Sequence, residues 1–475
     1  MSAHDPKTYS LGETDSIWHK LTPLLKDPIN PMQTLLRMSE KYGGALAFNM
    51  GNERVVFLAE PDHFKHVLVT KEPSYIKYFD GLTPIFGKSM ITIDGALWQK
   101  IRVPQQAAFH PNMFEEYLPY LLKSLRSKGD RWAGLAKSGE TIEMVEETWT
   151  LAADMVCQAL FDREMPFNPH FVFGMVKAYT NVNNHKSIRS KLQDEGADTD
   201  ISGEKAHKAM SEWGSIPDKV VDANDLDHRA KTLLTMLKAA EADPAFPEFD
   251  HQQVVDEMKQ YLWAGTETTA LTLAWCLYLL TQHPEVAAKV REEAQRVCGT
   301  GEPTWEQAQN LTYIRMVIQE TMRLYPPIWG LIRRCAVEDE VGGVKVNPGD
   351  VVVLCAYIAH HSEKYWEEPE KFIPERFSPD RMKARAKYSY LPFGGGKRSC
   401  IGGALSQLEN GLALAMLYRR FDPEYLGPVP ARINPTVTLT PASLPFRIRE
   451  LLVGPSILLF AYLTRRPFAF KRPKR

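Results

Sequence analysis

The sequence predicts a mainly α-helical fold with a small β portion. Leucines recur at helical spacing through residues 113–162, and prolines end helical stretches, as Pro284 ends the stretch 251–283. Short apolar runs beside glycine turns indicate a few strands. Residues 362–400 form a long coil rich in Pro, Gly and aromatic residues. A coil of that length inside a compact domain usually carries function.

The predicted elements follow one another without repeats or low-complexity linkers. Helices are expected at residues 31–42, 113–162, 251–283, directly after Pro284, at 304–325 and at 402–420. Strands are expected at residues 45–48, 54–58 and 351–354, with glycine turns at 51–52 and 342–343. Two consecutive prolines, Pro326 and Pro327, stop the helix before them, because proline has no N–H donor and clashes with the preceding turn. Residues 163–250 are polar and show no clear period.

Charge and composition exclude several classes of protein. The chain has 57 Lys and Arg against 58 Asp and Glu, with a pI of about 6.9, which excludes binding to nucleic acid through bulk charge. A hydrophobic content of 44% indicates a folded protein rather than a disordered one. Six cysteines without a Cys-x-x-Cys pair favour a reducing, cytoplasmic compartment.

The two ends of the sequence differ in character. The first twenty residues contain no apolar stretch, so we expect neither a secretory signal nor a membrane anchor there. Residues 451–464 are uncharged but shorter than the roughly 20 apolar residues that span a bilayer. Six basic residues follow. This C-terminal extension either packs on the body with a solvated tail, or associates weakly with an anionic membrane surface.

The long coil ends with a cysteine placed just before a helix. Glycines 394–396 let the backbone approach a bulky group, and N–H groups near a helix N-terminus stabilise a Cys400 thiolate. Arg398 offers a forked donor to a carboxylate. A thiolate that is the sole protein ligand of haem iron needs such a setting. The alternative is a buried, inert cysteine; a phosphate-binding loop is disfavoured because its Gly-Lys-Ser/Thr end is absent.

Five residues of this loop make up the pattern Phe-x-x-Gly-x-Arg-x-Cys-x-Gly: Phe393, Gly396, Arg398, Cys400 and Gly402. The pattern resembles the haem-binding signature of the cytochrome P450 family, and further motifs occur in that family's order. The resemblance implies a cytochrome P450-like fold, haem b (iron protoporphyrin IX) as cofactor and Cys400 as its axial ligand. It implies one haem-thiolate monooxygenase domain over residues 1–450, followed by the extension 451–475.

The same resemblance assigns supporting roles to charged and aromatic residues. Glu320 and Arg323, three positions apart on one helix, and Arg376 would brace the coil that presents the cysteine. The haem-binding side chains that the resemblance implies are Trp98, Arg102, Arg334, His360, Phe393 and Arg398. Among the two neighbouring arginines we favour Arg334 over Arg333 as a ligand of a haem propionate.

The helix 251–283 carries the sequence Ala-Gly-Thr-Glu-Thr-Thr at residues 264–269. Gly265 permits a bend and Thr268 can bond back to a carbonyl one turn earlier, which would open a notch for O₂. By resemblance, Thr268 donates to dioxygen at the haem and Glu267 supplies protons from bulk water. The resemblance also implies an apolar substrate pocket lined by Phe79, Phe86, Ile91, Trp263, Ala264, Ile328, Trp329, Leu331 and Leu444.

These assignments describe a monooxygenase that inserts one oxygen atom from O₂ into a hydrophobic molecule by hydroxylation or epoxidation. No flavin or nicotinamide domain is recognised in the sequence, so we expect electrons from a ferredoxin or flavodoxin and its reductase. Lys100 and Lys397 lie on the cysteine side and would attract an acidic partner. The alternatives are a peroxide-using or rearrangement-catalysing haem-thiolate enzyme, and a haem-binding protein without catalysis.

Overall fold

The computed structural model describes residues 8–9, 32–50, 53–79, 82–165, 211, 213–216, 220, 231–435 and 438–451. Most of these residues are helical, as predicted. The α-helices are α1 (Met32–Tyr42), α2 (Pro61–Lys65), α3 (Thr83–Phe86), α4 (Gly95–Gln105), α5 (Phe114–Ser138), α6 (Met144–Phe161), α7 (Leu233–Ala242), α8 (His251–Gln282), α9 (Pro284–Cys298), α10 (Trp305–Gln309), α11 (Thr312–Leu324), α12 (Ala356–His361), α13 (Pro379–Ala384) and α14 (Gly403–Ala413). Within the described ranges, none is long and apolar enough to cross a membrane.

The strands form one mixed sheet and three small antiparallel units. They are β1 (Thr8–Tyr9), β2 (Ala45–Met50), β3 (Glu53–Leu58), β4 (Tyr75–Lys77), β5 (Thr141–Glu143), β6 (Leu331–Cys335), β7 (Asp339–Val341), β8 (Val344–Val346), β9 (Val351–Leu354), β10 (Phe421–Tyr425), β11 (Ile433–Pro435), β12 (Leu439–Pro441) and β13 (Pro445–Glu450). The mixed sheet has the order β1-β2-β3-β9-β6-β4, with β1–β2 and β3–β9 parallel. Strands β10, β13 and β5 form a second sheet, and β7–β8 and β11–β12 are hairpins.

Helix α8 runs through the centre of the hydrophobic core. The side chain of Asp250 caps it by accepting the N–H of Gln253 at 2.8 Å, and Pro284 begins the next helix. The helix continues unbroken through Gly265, where a bend was expected. A Cβ atom at that position would lie 2.8 Å from Cγ2 of Val156. The glycine therefore allows close packing of α6 on α8.

Two predicted helical stretches are divided in the structure, one for a local and one for a long-range reason. The expected helix 304–325 divides into α10, whose N-terminus Thr304 caps, and α11; the chain leaves the first helix at its C-cap, Asn310, and the second begins at Thr312. The helical stretch 113–162 is interrupted by β5, which pairs with the distant β13 and so has no local signal. The helix predicted to end at residue 420 does end there, with a π-helical turn at Leu414–Tyr418 before β10 begins. Residues 452–475, and with them most of the C-terminal extension, lie outside the described residues.

A buried charge network holds the coil 362–400 against α11. The side chains of Glu320 and Arg323 have no exposed surface, and two guanidinium nitrogens of Arg323 donate to the carboxylate at 2.7 and 2.8 Å. Oε1 of Glu320 also accepts Nε of Arg376 at 3.3 Å and the backbone N–H of Ile373 at 2.9 Å. Arg323 donates further to the carbonyl oxygens of His360 and Lys371. One carboxylate thus fixes two segments of irregular chain.

We predict that Glu320→Gln strongly destabilises the protein, because both arginines would keep buried charges without a carboxylate. Breaking such a pair typically lowers the free energy of unfolding by about 3–5 kcal/mol. Glu375→Gln is the matched control, since Glu375 pairs with Lys289 at 2.6 Å on the surface. We expect that change to lower the stability by less than about 1 kcal/mol. Chemical denaturation of both variants checks the difference, and equal stabilities would contradict the bracing role.

Candidate functional site

Cys400 lies between a short 3-10 turn, Gly396–Arg398, and the start of α14. Its side chain is accessible, whereas the other five cysteines are buried. Its own N–H donates to the carbonyl of Phe393 at 2.8 Å, which closes the loop. Burial among protein atoms raises the pKa of the thiol, while the N–H groups of Gly402 and Gly403 and the charge of Arg102 act in the opposite direction. The sulfur therefore faces a confined space and has donors that would stabilise a thiolate.

The glycines of this loop are required by two close contacts. Gly396 has φ of +67°, and a Cβ atom there would lie 2.1 Å from the carbonyl oxygen of Leu68. Gly394 has φ of +68°, but its nearest neighbour would be a side-chain carbon of Leu331 at 3.6 Å. A Cβ on Gly403 would lie 3.1 Å from the ring of Phe393. The loop therefore lies directly against the backbone at Leu68, with Phe393 packed on the start of α14.

Four cationic side chains converge beside the loop: Lys77, Arg102, Arg333 and Arg398. Arg398 stacks on the Trp98 ring with its Cζ 3.7 Å from the centroid, and Arg102 approaches the same ring to 5.1 Å. Arg398 also pairs with Asp94 and, through Nε at 3.3 Å, with Glu72. Arg102 donates to the carbonyl of Ser399 at 3.1 Å.

Burial and mutual repulsion raise the energy of the charged forms in this cluster. Burial and the charge of Arg398 lower the pKa of Arg333 to about 10, although the carboxylate of Asp94 acts to raise it. Burial, followed by the charge of Arg398, lowers the pKa of Lys77 to about 7. Lys77 donates to the carbonyl of Met90 at 2.6 Å. The cationic side chains are therefore not fully balanced by the neighbouring carboxylates.

Two features of the cluster fit the propionates of a haem. Nη1 of Arg398 is buried and has no hydrogen-bond partner among the described residues. Among the described residues, the carboxylates of Asp94 and Glu72 face three arginines and the partly charged Lys77, so positive charge exceeds negative charge in the cluster. A haem carries two carboxylates on one edge. The thiol of Cys400 lies close enough to Arg102, a member of this cluster, for the charge of Arg102 to lower its pKa. The residues present are therefore suited to hold a haem.

Two of the expected haem-binding side chains lie elsewhere. Arg334 pairs with Glu53 at 3.1 Å and lies over the ring of Tyr78, because successive residues of β6 point to opposite faces of the sheet. Arg333, and not the preferred Arg334, therefore faces the cation cluster. His360 is fully buried behind the coil, where its Nε2 accepts the N–H of Leu391 at 2.9 Å. It supports the coil and does not reach the cation cluster.

One face of α8 borders the same space. Between Gln253 and Leu280 the helix is buried except at Lys259, at residues 263–265 and at Thr268, which keep partly exposed surface. The hydroxyl of Thr268 donates to the carbonyl of Ala264 at 2.7 Å. Glu267 is 4% exposed, and its carboxylate accepts the hydroxyl of Thr438 at 2.8 Å. Thr438, in the β11–β12 hairpin, is a site residue that the sequence analysis missed.

Most of the residues expected to line a substrate pocket keep partly exposed surface, and two are buried. The partly exposed ones are Phe79, Ile91, Trp263, Ala264, Ile328, Trp329 and Leu331. Phe86 is buried behind them, with its ring edge-on to Trp263 at 5.9 Å. Leu444 is fully buried beside Glu143 and Met144, because the hairpin has already ended at Pro441. The described contacts of Leu444 are thus with the start of α6.

A row of polar side chains on α8 holds the chain segment 88–91. Asp256, Glu257 and Gln260 accept the backbone N–H groups of Lys88, Met90 and Ile91 at 2.7–2.8 Å. Burial raises the pKa of Glu257 to about 8, against the lowering effect of its donors. The only sequence signal for this contact is an acidic pair inside an otherwise largely apolar helix. The contact fixes the wall that carries Ile91.

The chain resembles known proteins over most of its length. The family profile "Cytochrome P450" matches residues 21–446. The protein LUTEIN DEFICIENT 5, chloroplastic, of Arabidopsis thaliana is 29% identical over 80% of this chain and 67% of its own. Cyclooctatin synthase of Streptomyces melanosporofaciens is 28% identical over 86% and 89%, respectively. The crystal structure of a cytochrome P450, CYP102L1, superposes with a TM-score of 0.78 at 23% identity, covering 89% of this chain and 99% of that one.

We predict that Gly396→Ala displaces the cysteine loop, because its Cβ would overlap the carbonyl of Leu68. Gly394→Ala is the control, since it carries a similar left-handed strain of about 1–2 kcal/mol but meets no backbone atom. Gly396→Ala should hold several-fold less haem per polypeptide and melt at a lower temperature than Gly394→Ala. The haem-to-protein absorbance ratio and thermal unfolding measure this. Indistinguishable variants would show that the close contact does not determine the loop.

Proposed function

The chain belongs to the cytochrome P450 family and is a haem-thiolate monooxygenase, and we propose that it oxidises a hydrophobic molecule with electrons from separate redox proteins. The observation that carries this proposal is the accessible Cys400 thiol beside a space with apolar walls. A C–H bond offers no charge to recognise, so selectivity has to come from the shape of such walls. Trp263, Ile328 and Trp329 supply large apolar surfaces suited to a medium or large hydrophobe.

In this proposal the cofactor is haem b, and the chain holds it at two places. Cys400 would hold the haem iron through its thiolate, and the N–H groups of Gly402 and Gly403 would stabilise that sulfur. Arg102, Arg333 and Arg398, with Trp98, receive the propionates. When bound, the haem supplies dioxygen chemistry: one oxygen atom enters the substrate, and the other becomes water with two electrons and two protons.

Thr268 and Glu267 move protons in this scheme. The hydroxyl of Thr268 now donates to Ala264 and can rotate to donate into the space that α8 borders. Glu267, next in sequence, is the acid that resupplies the proton. Its burial means that protons do not reach its carboxylate directly from bulk water, contrary to the simplest sequence expectation. The route they take is considered below.

The proposed electron donors are a ferredoxin or a flavodoxin, each with its reductase. The side chain of Lys397 is 67% exposed on the cysteine loop, 3.9 Å from Glu72. Lys100 is also largely exposed and pairs with Glu248. These cations on the cysteine side favour an acidic protein surface, and salt should weaken such an encounter.

The test compares electron sources with dodecanoic acid and a panel of terpenes as probe substrates. Spin-state shifts first identify a probe that binds. With reductase and ferredoxin or flavodoxin, we expect product that contains one atom of ¹⁸O from ¹⁸O₂. Cys400→Ala should lose both this product and the thiolate-type spectrum of the reduced carbon monoxide complex. Cys355→Ala, which removes a fully buried thiol, should keep both.

Two outcomes would overturn the proposal. Turnover with hydrogen peroxide but not with either redox chain would identify a peroxide-using enzyme. A thiolate-type spectrum in Cys400→Ala would assign the axial ligand to another residue.

We predict that Arg333 contributes to haem retention and that Arg334 does not. Arg333→Leu removes a buried donor beside Arg398, and losing a hydrogen bond to a charged group costs about 1.5–3 kcal/mol. Haem transfer from this variant to apomyoglobin should be at least tenfold faster than from the wild type. Arg334→Leu, which removes a partly exposed ion pair, should be within about twofold of it. The reverse order would restore the original assignment of Arg334.

A further inference from the structure

The carboxylate of Glu267 is enclosed, yet it is connected to a less buried part of the chain through two hydroxyls. Oγ1 of Thr438 lies 2.8 Å from Oε1 of Glu267, and the hydroxyls of Thr438 and Thr440 are 3.0 Å apart. Glu267 is 4% and Thr438 2% exposed, whereas Thr440 is partly exposed. The three groups therefore form a line that leads from the oxygen helix toward the surface of the β11–β12 hairpin.

The hairpin geometry produces this line. Thr438 and Thr440 are two positions apart on an extended segment, so their side chains lie on the same face. Strand β12 is anchored on both sides: the N–H of Leu439 donates to the carbonyl of Pro327, and its carbonyl accepts Nε1 of Trp275 at 3.0 Å. These contacts hold the hairpin against α8 and bring the two hydroxyls to Glu267.

We propose that Thr440 and Thr438 relay protons to Oε1 of Glu267, so that the β11–β12 hairpin is a proton entry route for oxygen activation. This inference rests on the proposed function, in which Glu267 resupplies Thr268. A hydroxyl both donates and accepts, and can therefore pass a proton along. Thr438 gives its proton to the carboxylate as it takes one from Thr440, which takes one from solvent. Glu267 then releases one proton toward Thr268 and returns to the carboxylate, so no net charge stays on either hydroxyl.

The competing explanation is that Thr438 only shapes the hairpin. Two substitutions separate the role of the hydroxyl from that of the side-chain shape. Thr438→Val keeps the branched shape without the hydroxyl, whereas Thr438→Ser keeps the hydroxyl without the methyl group. Thr440→Val interrupts the relay at its outer end, where the side chain is partly exposed and the risk of misfolding is smaller. Glu267→Gln tests the acceptor itself.

The experiment uses the holoenzyme with a surrogate ferredoxin and reductase, and the probe hydrophobe that gives the largest spin-state shift. It measures product per reducing equivalent, hydrogen peroxide release and the solvent deuterium isotope effect on product formation. In Thr438→Val we expect about tenfold less product per electron, more peroxide and a larger isotope effect. The dissociation constant of the probe should stay within twofold of the wild type. Thr438→Ser should retain wild-type coupling, and Thr440→Val should fall between the two.

Three results would overturn the relay. Wild-type coupling in both valine variants would show that protons enter elsewhere. Equal losses in Thr438→Val and Thr438→Ser would assign Thr438 to shape alone. Wild-type coupling in Glu267→Gln would remove the acceptor and the proposed role of Glu267 with it. If Glu267→Gln uncouples and the valine variants do not, the relay fails while the proposed function stands.

Discussion

A carboxylate without solvent contact determines where the coil 362–400 lies, the longest largely irregular segment among the described residues. Glu320 is surrounded by Arg323, Arg376 and the N–H of Ile373, and together they fasten the coil 362–400 to α11. Such a charge is tolerated in the interior only when every oxygen has a donor. The position of Cys400 at the end of that coil follows from the same contacts. A small, fully satisfied polar network thus has effects some 80 residues along the chain.

Irregular backbone around the site is held by side-chain hydrogen bonds at several other places. Side chains from regular helices satisfy backbone groups that have no partner in a sheet or helix. Asp256 and Glu257 do this for the segment 88–91, Arg323 does it for the carbonyl of Lys371, and His360 does it for the N–H of Leu391. Buried backbone polar groups need such partners, because an unpaired one carries a desolvation penalty. The acids and histidine are therefore buried for structural reasons.

A structural feature could be predicted from the sequence when the contacts that determine it join residues close together in the chain. The cysteine loop was recognisable because its glycines, Arg398 and Cys400 lie within a few consecutive positions. The sequence could not show that Arg333, and not Arg334, faces the cation cluster, because that requires knowing which face of β6 turns inward. The hairpin contact of Thr438 with Glu267 spans 171 positions and left no trace in either segment. Helix existence was predicted well from periodicity, whereas β5 was missed because its partner strand is distant.

The lowered pKa of Lys77 makes haem binding depend on pH. With a pKa of about 7, this amine is only partly charged near neutral pH. The carboxylates of an arriving porphyrin would stabilise its ammonium form and raise that pKa. Haem binding then takes up a fraction of a proton. Because protons are taken up, the equilibrium constant for haem binding rises as the pH falls from mildly alkaline to neutral. The cell's pH would thus influence how completely newly made chains are loaded.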